Sequence, residues 1–186
     1  MVKFLYHLTR ELRPRQWIKN LAVFASIIFT GQLFQQDLFF VSLWAFLVFC
    51  LLSSASYLIN DVVDTPRDKL HPVKKLRPIA AGVISPRLAL SLAGGGILAG
   101  LWGAKTLGGP FFFVAFLFLI LNLAYSLILK RLALIDILTV AVGYILRVYA
   151  GEAATGFHLS VWLMLAVVSL SLFLAVGKRR SELAIL

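Results

Sequence analysis

Residues 38–59 read LFFVSLWAFLVFCLLSSASYLI, and residues 60–64 that follow read NDVVD. The first stretch contains no Asp, Glu, Lys or Arg. As a helix it is long enough to cross the hydrocarbon core of a bilayer, which takes about 20 apolar residues. Nothing in it alternates with the period of a barrel strand, and a helix satisfies its backbone groups internally when lipid is the solvent. Working outward, segments of similar character lie at about 20–36, 86–104, 110–129, 133–154 and 160–177. The fold class that follows is an all-α polytopic membrane helical bundle of about six transmembrane helices, in a single integral membrane domain over 1–186.

Composition agrees. Of 186 residues, 61% are apolar and 14% charged, whereas a soluble domain carries about 25% charged residues. A soluble enzyme and a disordered chain are both excluded. Cys50 is the only cysteine, so there is no disulfide scaffold. The formal net charge of +10 is spread between apolar segments, which points to the membrane surface as partner and not to nucleic acid. All but two of the 18 Lys and Arg, Lys105 and Arg147, fall on one face of the proposed topology. The positive-inside rule makes that face cytoplasmic and, with an even number of spans, puts both termini there. The expected location is the inner (plasma) membrane, with multiple passes. The segment at 20–36 follows Lys3, Arg10, Arg13, Arg15 and Lys19 and precedes further spans, so it is expected to stay in the mature protein.

Residues 1–16 place Phe4, Leu5, Leu8 and Leu12 at helical spacing among basic residues, as in a helix lying in the headgroup layer. Glycines 94, 95, 96, 100 and 103 lie inside a span without a Gly-Lys-Ser/Thr signature. They read as a surface for close helix packing and not as a phosphate loop.

Only eight residues of the chain are acidic, and Asp61, Asp64 and Asp68 are three of them. At 100° per residue they share one helix face with Asn60. Like charges so placed repel unless cations sit between them, and hard oxygen ligands at this spacing suit Mg²⁺. Pro66 is expected to kink or end the helix and to turn Asp68 aside. Arg67, Lys69, Lys74, Lys75 and Arg77 follow at once, together with His71. Acids beside bases suggest a metal-bound diphosphate, with Lys74 and Arg77 neutralising its far side. Residues 60–85 therefore form the expected cytoplasmic catalytic loop. A positive-inside loop accounts for the bases alone, but not for the acids.

Asn60-Asp61-x-x-Asp64-x-x-x-Asp68, followed by Arg77-Pro78-Ile79-Ala80-Ala81-Gly82, resembles the first signature of the UbiA superfamily of intramembrane prenyltransferases. Within it, His71-Pro72-x-Lys74-x-x-Arg77-Pro78 and the early Arg13-Pro14-Arg15-Gln16-Trp17-Ile18-Lys19-Asn20 are similar to the branch of decaprenyl-phosphate phosphoribosyltransferases. Tyr125-Ser126-x-x-x-Lys130, Asp136 and Leu146-Arg147 fit the same branch. The resemblance implies transfer of phosphoribosyl from phosphoribosyl pyrophosphate to a polyprenyl phosphate, with Mg²⁺ held by Asp61, Asp64 and Asp68. It also implies substrate binding by Lys19, Asn60, His71, Lys74, Arg77, Tyr125, Lys130, Asp136 and Arg147. The family pattern includes further spans and a second acidic motif beyond those of this chain, so an inactive fragment stands as one rival. A transporter is another, and prenyl transfer from a prenyl diphosphate to an aromatic or other small acceptor is the rival within the enzyme class.

In the span at 133–154, Asp136, Val140, Gly143, Arg147 and Gly151 form one narrow stripe that should face protein or a cavity. Asp136 and Arg147 are about 16 Å apart along the axis, too far to pair. Arg147 either holds a phosphate or neutralises Glu152; Asp136 either joins the site or caps its helix. Lys130, with Tyr125 near the depth of the aspartates, either anchors diphosphate or snorkels.

Overall fold

The computed structural model describes residues 2–129 and 133–183, and their regular structure is entirely helical. Among them, four helices are long and apolar enough to cross a membrane: α3 (Gln36–Asp68), α4 (Pro86–Thr106), α5 (Gly109–Leu127) and Ile135–Thr155 within α6 (Ala133–Thr155). Val161–Gly177, the apolar part of α7 (Val161–Leu183), is shorter. The chain is a multi-pass membrane protein of all-α architecture.

The segment expected to span at 20–36 is built differently. After α1 (Val2–Leu12), the chain forms 3-10 turns over Pro14–Phe24, then the short α2 (Ala25–Phe29), and leaves helical structure. Gly31, at φ 72°, ends α2, its N–H donating to Ile28 O at 3.2 Å while Gln32 N–H reaches back to Ile27 O at 2.7 Å. This is the paired closure that a left-handed glycine gives a helix terminus. The segment still runs back along α3, from Arg13 at Asp61 to Phe24 against Phe39 and Phe46, but as 3-10 turns and a short helix that Gly31 stops, not as one long α-helix.

α3 is the axis of the bundle and packs on α1, the 3-10 segment, α4, α5 and α6. Its contact with α4 runs through small residues. A Cβ built on Gly100 would stand 2.6 Å from Leu52 Cδ2, one on Gly103 3.0 Å from Val48 Cγ2, and one on Gly96 3.3 Å from Ala55 Cβ. The glycine surface read from the sequence is thus a packing surface for these three, while Gly94 and Gly95 have open space. Phe49 of α3 meets α5 edge-on at Phe111 (centroids 5.9 Å apart) and tilted at Phe118 (4.7 Å). A second apolar cluster joins Ala55 and Leu58 to Ile79, Ile84, Ala89 and Ala93, with Leu8 and Leu12 of α1 against it. α1 therefore does more than coat a surface: it closes over the loop that follows α3.

Outward positions carry apolar side chains such as Leu98, Trp102, Phe113 and Phe173. On a membrane protein this surface meets lipid tails and needs no aqueous partner.

Candidate active site

A cavity of about 480 Å³ opens between the 3-10 segment, α3, the following loop, α5 and α6. The 3-10 segment contributes Gln16 and Lys19, and Arg13 at its start completes the row. In a helix of three residues per turn, positions i, i+3 and i+6 eclipse, so the geometry alone puts these three in one row. The adjacent row, Trp17, Asn20 and Val23, turns toward protein: Trp17 Nε1 donates to Ser54 Oγ at 2.9 Å, while Asn20 and Val23 are fully buried.

α3 supplies Ser56, Tyr57, Asn60 and Asp64 to the wall, and the loop adds Lys74 and Arg77. α5 adds Leu121, Asn122, Tyr125 and Ser126; α6 adds Thr139, Val140, Gly143, Tyr144 and Arg147. The stripe of Val140, Gly143 and Arg147 foreseen on α6 thus faces a cavity. Gly151 continues it against protein, where a Cβ would lie 2.0 Å from Val23 O.

The three aspartates divide. Asp64 lines the cavity and its Oδ2 accepts from Asn60 Nδ2 at 3.1 Å. Asp61 and Asp68 are buried behind it. Arg13 Nη2 donates to both Asp61 oxygens at 2.6 Å, and Arg77 Nη1 donates to Asp61 Oδ1 at 2.9 Å and Asp68 Oδ2 at 2.7 Å. The cations between these carboxylates are guanidinium groups. Among the described residues, no group of three or more His, Cys, Asp or Glu side chains is placed to hold a metal ion. Asp64 and Asn60 present hard oxygens to the cavity, a donor set that fits Mg²⁺ in kind.

Pro66 does not end the helix as expected; α3 runs on through Asp68. The ring removes a single backbone donor within the last turn. The Thr65 hydroxyl bonds Asp61 O at 2.8 Å, and the Arg77 clamp fixes Asp68.

Arg13 itself adopts φ 52° and ψ 57° between α1 and Pro14, a left-handed conformation unusual for a side-chain-bearing residue. Its guanidinium also lies over the Tyr57 ring, 5.0 Å from the centroid. Beside it, Glu11 is 2% exposed and accepts the Ile79 N–H at 3.0 Å. Burial, with hydrogen bonding to Asp61, pushes the Glu11 carboxyl up from 4.5 to about 7.

Of the residues expected at the site, Lys19, Asn60, Asp64, Lys74, Arg77, Tyr125 and Arg147 meet in the cavity. His71 does not: it is exposed, and its Nδ1 accepts the Val73 and Lys74 N–H groups at 3.1 and 3.3 Å, shaping the loop. Asp136 is buried in the first turn of α6, outside the cavity wall. Lys130 lies outside the described residues. Glu152 is not the partner of Arg147; it binds His158 Nδ1 at 2.7 Å and the Leu159 N–H at 3.1 Å. Glu11, Gln16, Asn122, Thr139 and Tyr144 were not foreseen. Only the three-residue period of the 3-10 row carried a signal, and it needed the helix type to be read.

Residues 21–178 match the model of the UbiA prenyltransferase family. The chain is 42% identical to a decaprenyl-phosphate phosphoribosyltransferase of Mycolicibacterium smegmatis over 95% of its own length and 57% of the relative's. It is 39% identical to the enzyme of the same name from Corynebacterium glutamicum, covering 94% of this chain and 54% of that one. It therefore spans somewhat more than half the length of these relatives. Among solved structures, a UbiA homologue from Archaeoglobus fulgidus bound to GPP and Mg²⁺ superposes with a TM-score of 0.81 at 22% identity, covering 96% of this chain and 64% of that one.

Proposed function

The chain belongs to the UbiA prenyltransferase family, and we propose that it serves transfer of phosphoribosyl from phosphoribosyl pyrophosphate to a polyprenyl phosphate at the cytoplasmic face of the inner membrane. The observation that carries this reading is that polar side chains recur along the cavity beyond the aspartate, among apolar ones such as Leu121 and Val140. A prenyl diphosphate needs an apolar trough for its chain, whereas here Gln16, Ser56, Asn122, Ser126, Thr139 and Arg147 line the space beyond the aspartate. A sugar bearing hydroxyls and a further phosphate is the better match.

In this reading Asp64 and Asn60 hold Mg²⁺, and Asp61 and Asp68 act with them from behind the wall. The ion supplies charge neutralisation at the departing diphosphate. Lys74 and Arg77 donate to the diphosphate oxygens, with Arg13, which shares the Asp61 carboxylate with Arg77, and Lys19 on the same lining. Asp61 and Asp68 hold Arg77 and Arg13 in place, so the cations meet the leaving group already oriented. As the sugar carbon loses diphosphate it gains oxocarbenium character, and the acceptor phosphate oxygen attacks it. In the same reading Tyr125 and Asn122, both on the cavity wall, hold the sugar. Both termini and residues 60–85 face the cytoplasm, where the soluble donor is available.

The reading is tested by incubating membranes containing the protein with labelled phosphoribosyl pyrophosphate, a polyprenyl phosphate and Mg²⁺. Label should enter the lipid phase. Its failure to do so, together with transfer from a prenyl diphosphate to a small aromatic acceptor, would replace the donor assignment.

A further inference from the structure

Arg147 is 7% exposed, lies within a membrane-crossing helix and lines the cavity. Its Nε donates to Asn20 Oδ1 at 2.7 Å and its Nη1 to Gly143 O at 2.8 Å. The guanidinium sits over the Phe118 ring, 4.7 Å from the centroid, and 5.6 Å from that of Tyr144. These contacts fix its plane without neutralising it: among the described residues no carboxylate forms an ion pair with Arg147, and Nη2 has no hydrogen-bond partner. A buried cation left this way is costly unless an anion comes to it.

The place lies along the cavity from the aspartate end. Asn20, which holds Arg147, also donates to Cys50 Sγ at 3.3 Å and Ser53 Oγ at 3.4 Å. Ser53 precedes Asp64 on α3 by about three helical turns, roughly 16 Å. Arg147 therefore sits toward the end of the cavity away from Asp64.

We propose that Arg147, held by Asn20, is a second anion subsite that receives a phosphate monoester at the far end of the cavity. The inference rests on the reading of the cavity as a phosphoribosyl-transfer site and adds to it a ligand group distinct from the diphosphate. Two ligands carry such a group: the sugar donor, at its 5-phosphate, and the polyprenyl phosphate acceptor, at its head. Arginine suits the task because its fork gives two parallel donors to phosphate oxygens, and Nη2 remains to supply one.

The test uses the purified protein in detergent and three probes: ribose 5-phosphate, a short polyprenyl phosphate, and inorganic pyrophosphate with Mg²⁺. Binding of each is measured for wild type, Arg147→Gln and Arg147→Lys. At least one monoester should bind wild type and bind Arg147→Gln roughly ten- to hundredfold more weakly, the loss expected for a charge-assisted contact. Arg147→Lys, which keeps the charge, should recover part of the affinity, and pyrophosphate should bind all three proteins alike. A loss confined to ribose 5-phosphate assigns the subsite to the donor; a loss confined to the lipid assigns it to the acceptor. Equal losses for all three probes would make Arg147 structural and overturn the proposal, as would unchanged binding or no monoester binding to wild type. If Arg147→Gln does not fold, Arg147→Lys decides: monoester binding unchanged, or weakened together with pyrophosphate, is again an overturning result. Failure of label transfer from phosphoribosyl pyrophosphate, with monoester binding still dependent on Arg147, counts against the donor assignment and not against the subsite.

Discussion

Glu11 Oε1 accepts the backbone N–H of Ile79 at 3.0 Å, joining α1 to the loop that carries Arg77. The bond locks a segment read as an interfacial anchor onto the wall of the cavity, and it puts a carboxyl where water is scarce.

Because the Glu11 carboxyl is raised from 4.5 to about 7, the folded state holds its proton more tightly than the unfolded state does. Its effect on stability is neutral below 4.5 and becomes increasingly adverse as pH rises toward 7, after which it is constant. Glu11→Gln, which keeps an acceptor for Ile79 and cannot ionise, should match wild type near pH 4.5 and exceed its detergent melting temperature at pH 8. Thermal melts across that range decide the point; parallel curves for the two proteins would refute it.

The division of the aspartates gives opposite phenotypes. Asp61→Asn leaves Arg13 and Arg77 without their shared carboxylate and should cost about 1–3 kcal/mol of stability, read as a lower melting temperature. Asp64→Asn should leave the melting temperature nearly unchanged but weaken Mg²⁺-dependent pyrophosphate binding by roughly tenfold or more. Equal stability losses in the two variants would contradict this assignment.

Glycine substitutions probe the packing. At Gly151 an added Cβ would stand 2.0 Å from Val23 O, a backbone atom that cannot swing away. Gly151→Ala should therefore destabilise by about 1–3 kcal/mol or more. At Gly94 nothing lies within 4 Å, and alanine should be neutral or stabilising by up to about 1 kcal/mol. Melting temperatures that shift alike would argue against the close approach of α6 to the 3-10 segment.

Leu70, 88% exposed in the loop after α3, reports orientation. Cys50 is buried, so Leu70→Cys provides the accessible thiol. An impermeant reagent should label it only after cells are opened. Strong labelling of intact cells would reverse the proposed topology.

The helices that cross the membrane were legible because lipid imposes a single requirement, an unbroken apolar run, and α3, α4, α5 and α6 each meet it. At 20–36 the apolar run was legible but the helix type was not, because apolar content says nothing of 3-10 turns or of where a helix stops; Pro14–Phe24 and Gly31 decided those. Cavity residues such as Asn60, Asp64, Lys74 and Arg77 were legible because charge near lipid needs a cause. That Asp61 and Asp68 hold arginines could not be read, since it depends on Arg13 arriving from 48 residues away. Glu11 gave no local sign, its environment being made by Ile79 and Asp61.

The bond from Arg147 to Asn20 spans 127 residues of chain, and it has a consequence in time. At about 5–20 residues per second, synthesis needs roughly 6–25 s to deliver the arginine after the asparagine has left the ribosome. Through that interval the N-terminal segment can meet α3, at Cys50, Ser53 and Ser54, but the Asn20 amide oxygen lacks its arginine. When α6 arrives, only a correctly seated N-terminal segment gives the incoming charge its amide partner. Replacing Asn20 would then act first on biogenesis, by leaving α6 poorly retained in the membrane, before any effect on chemistry is seen.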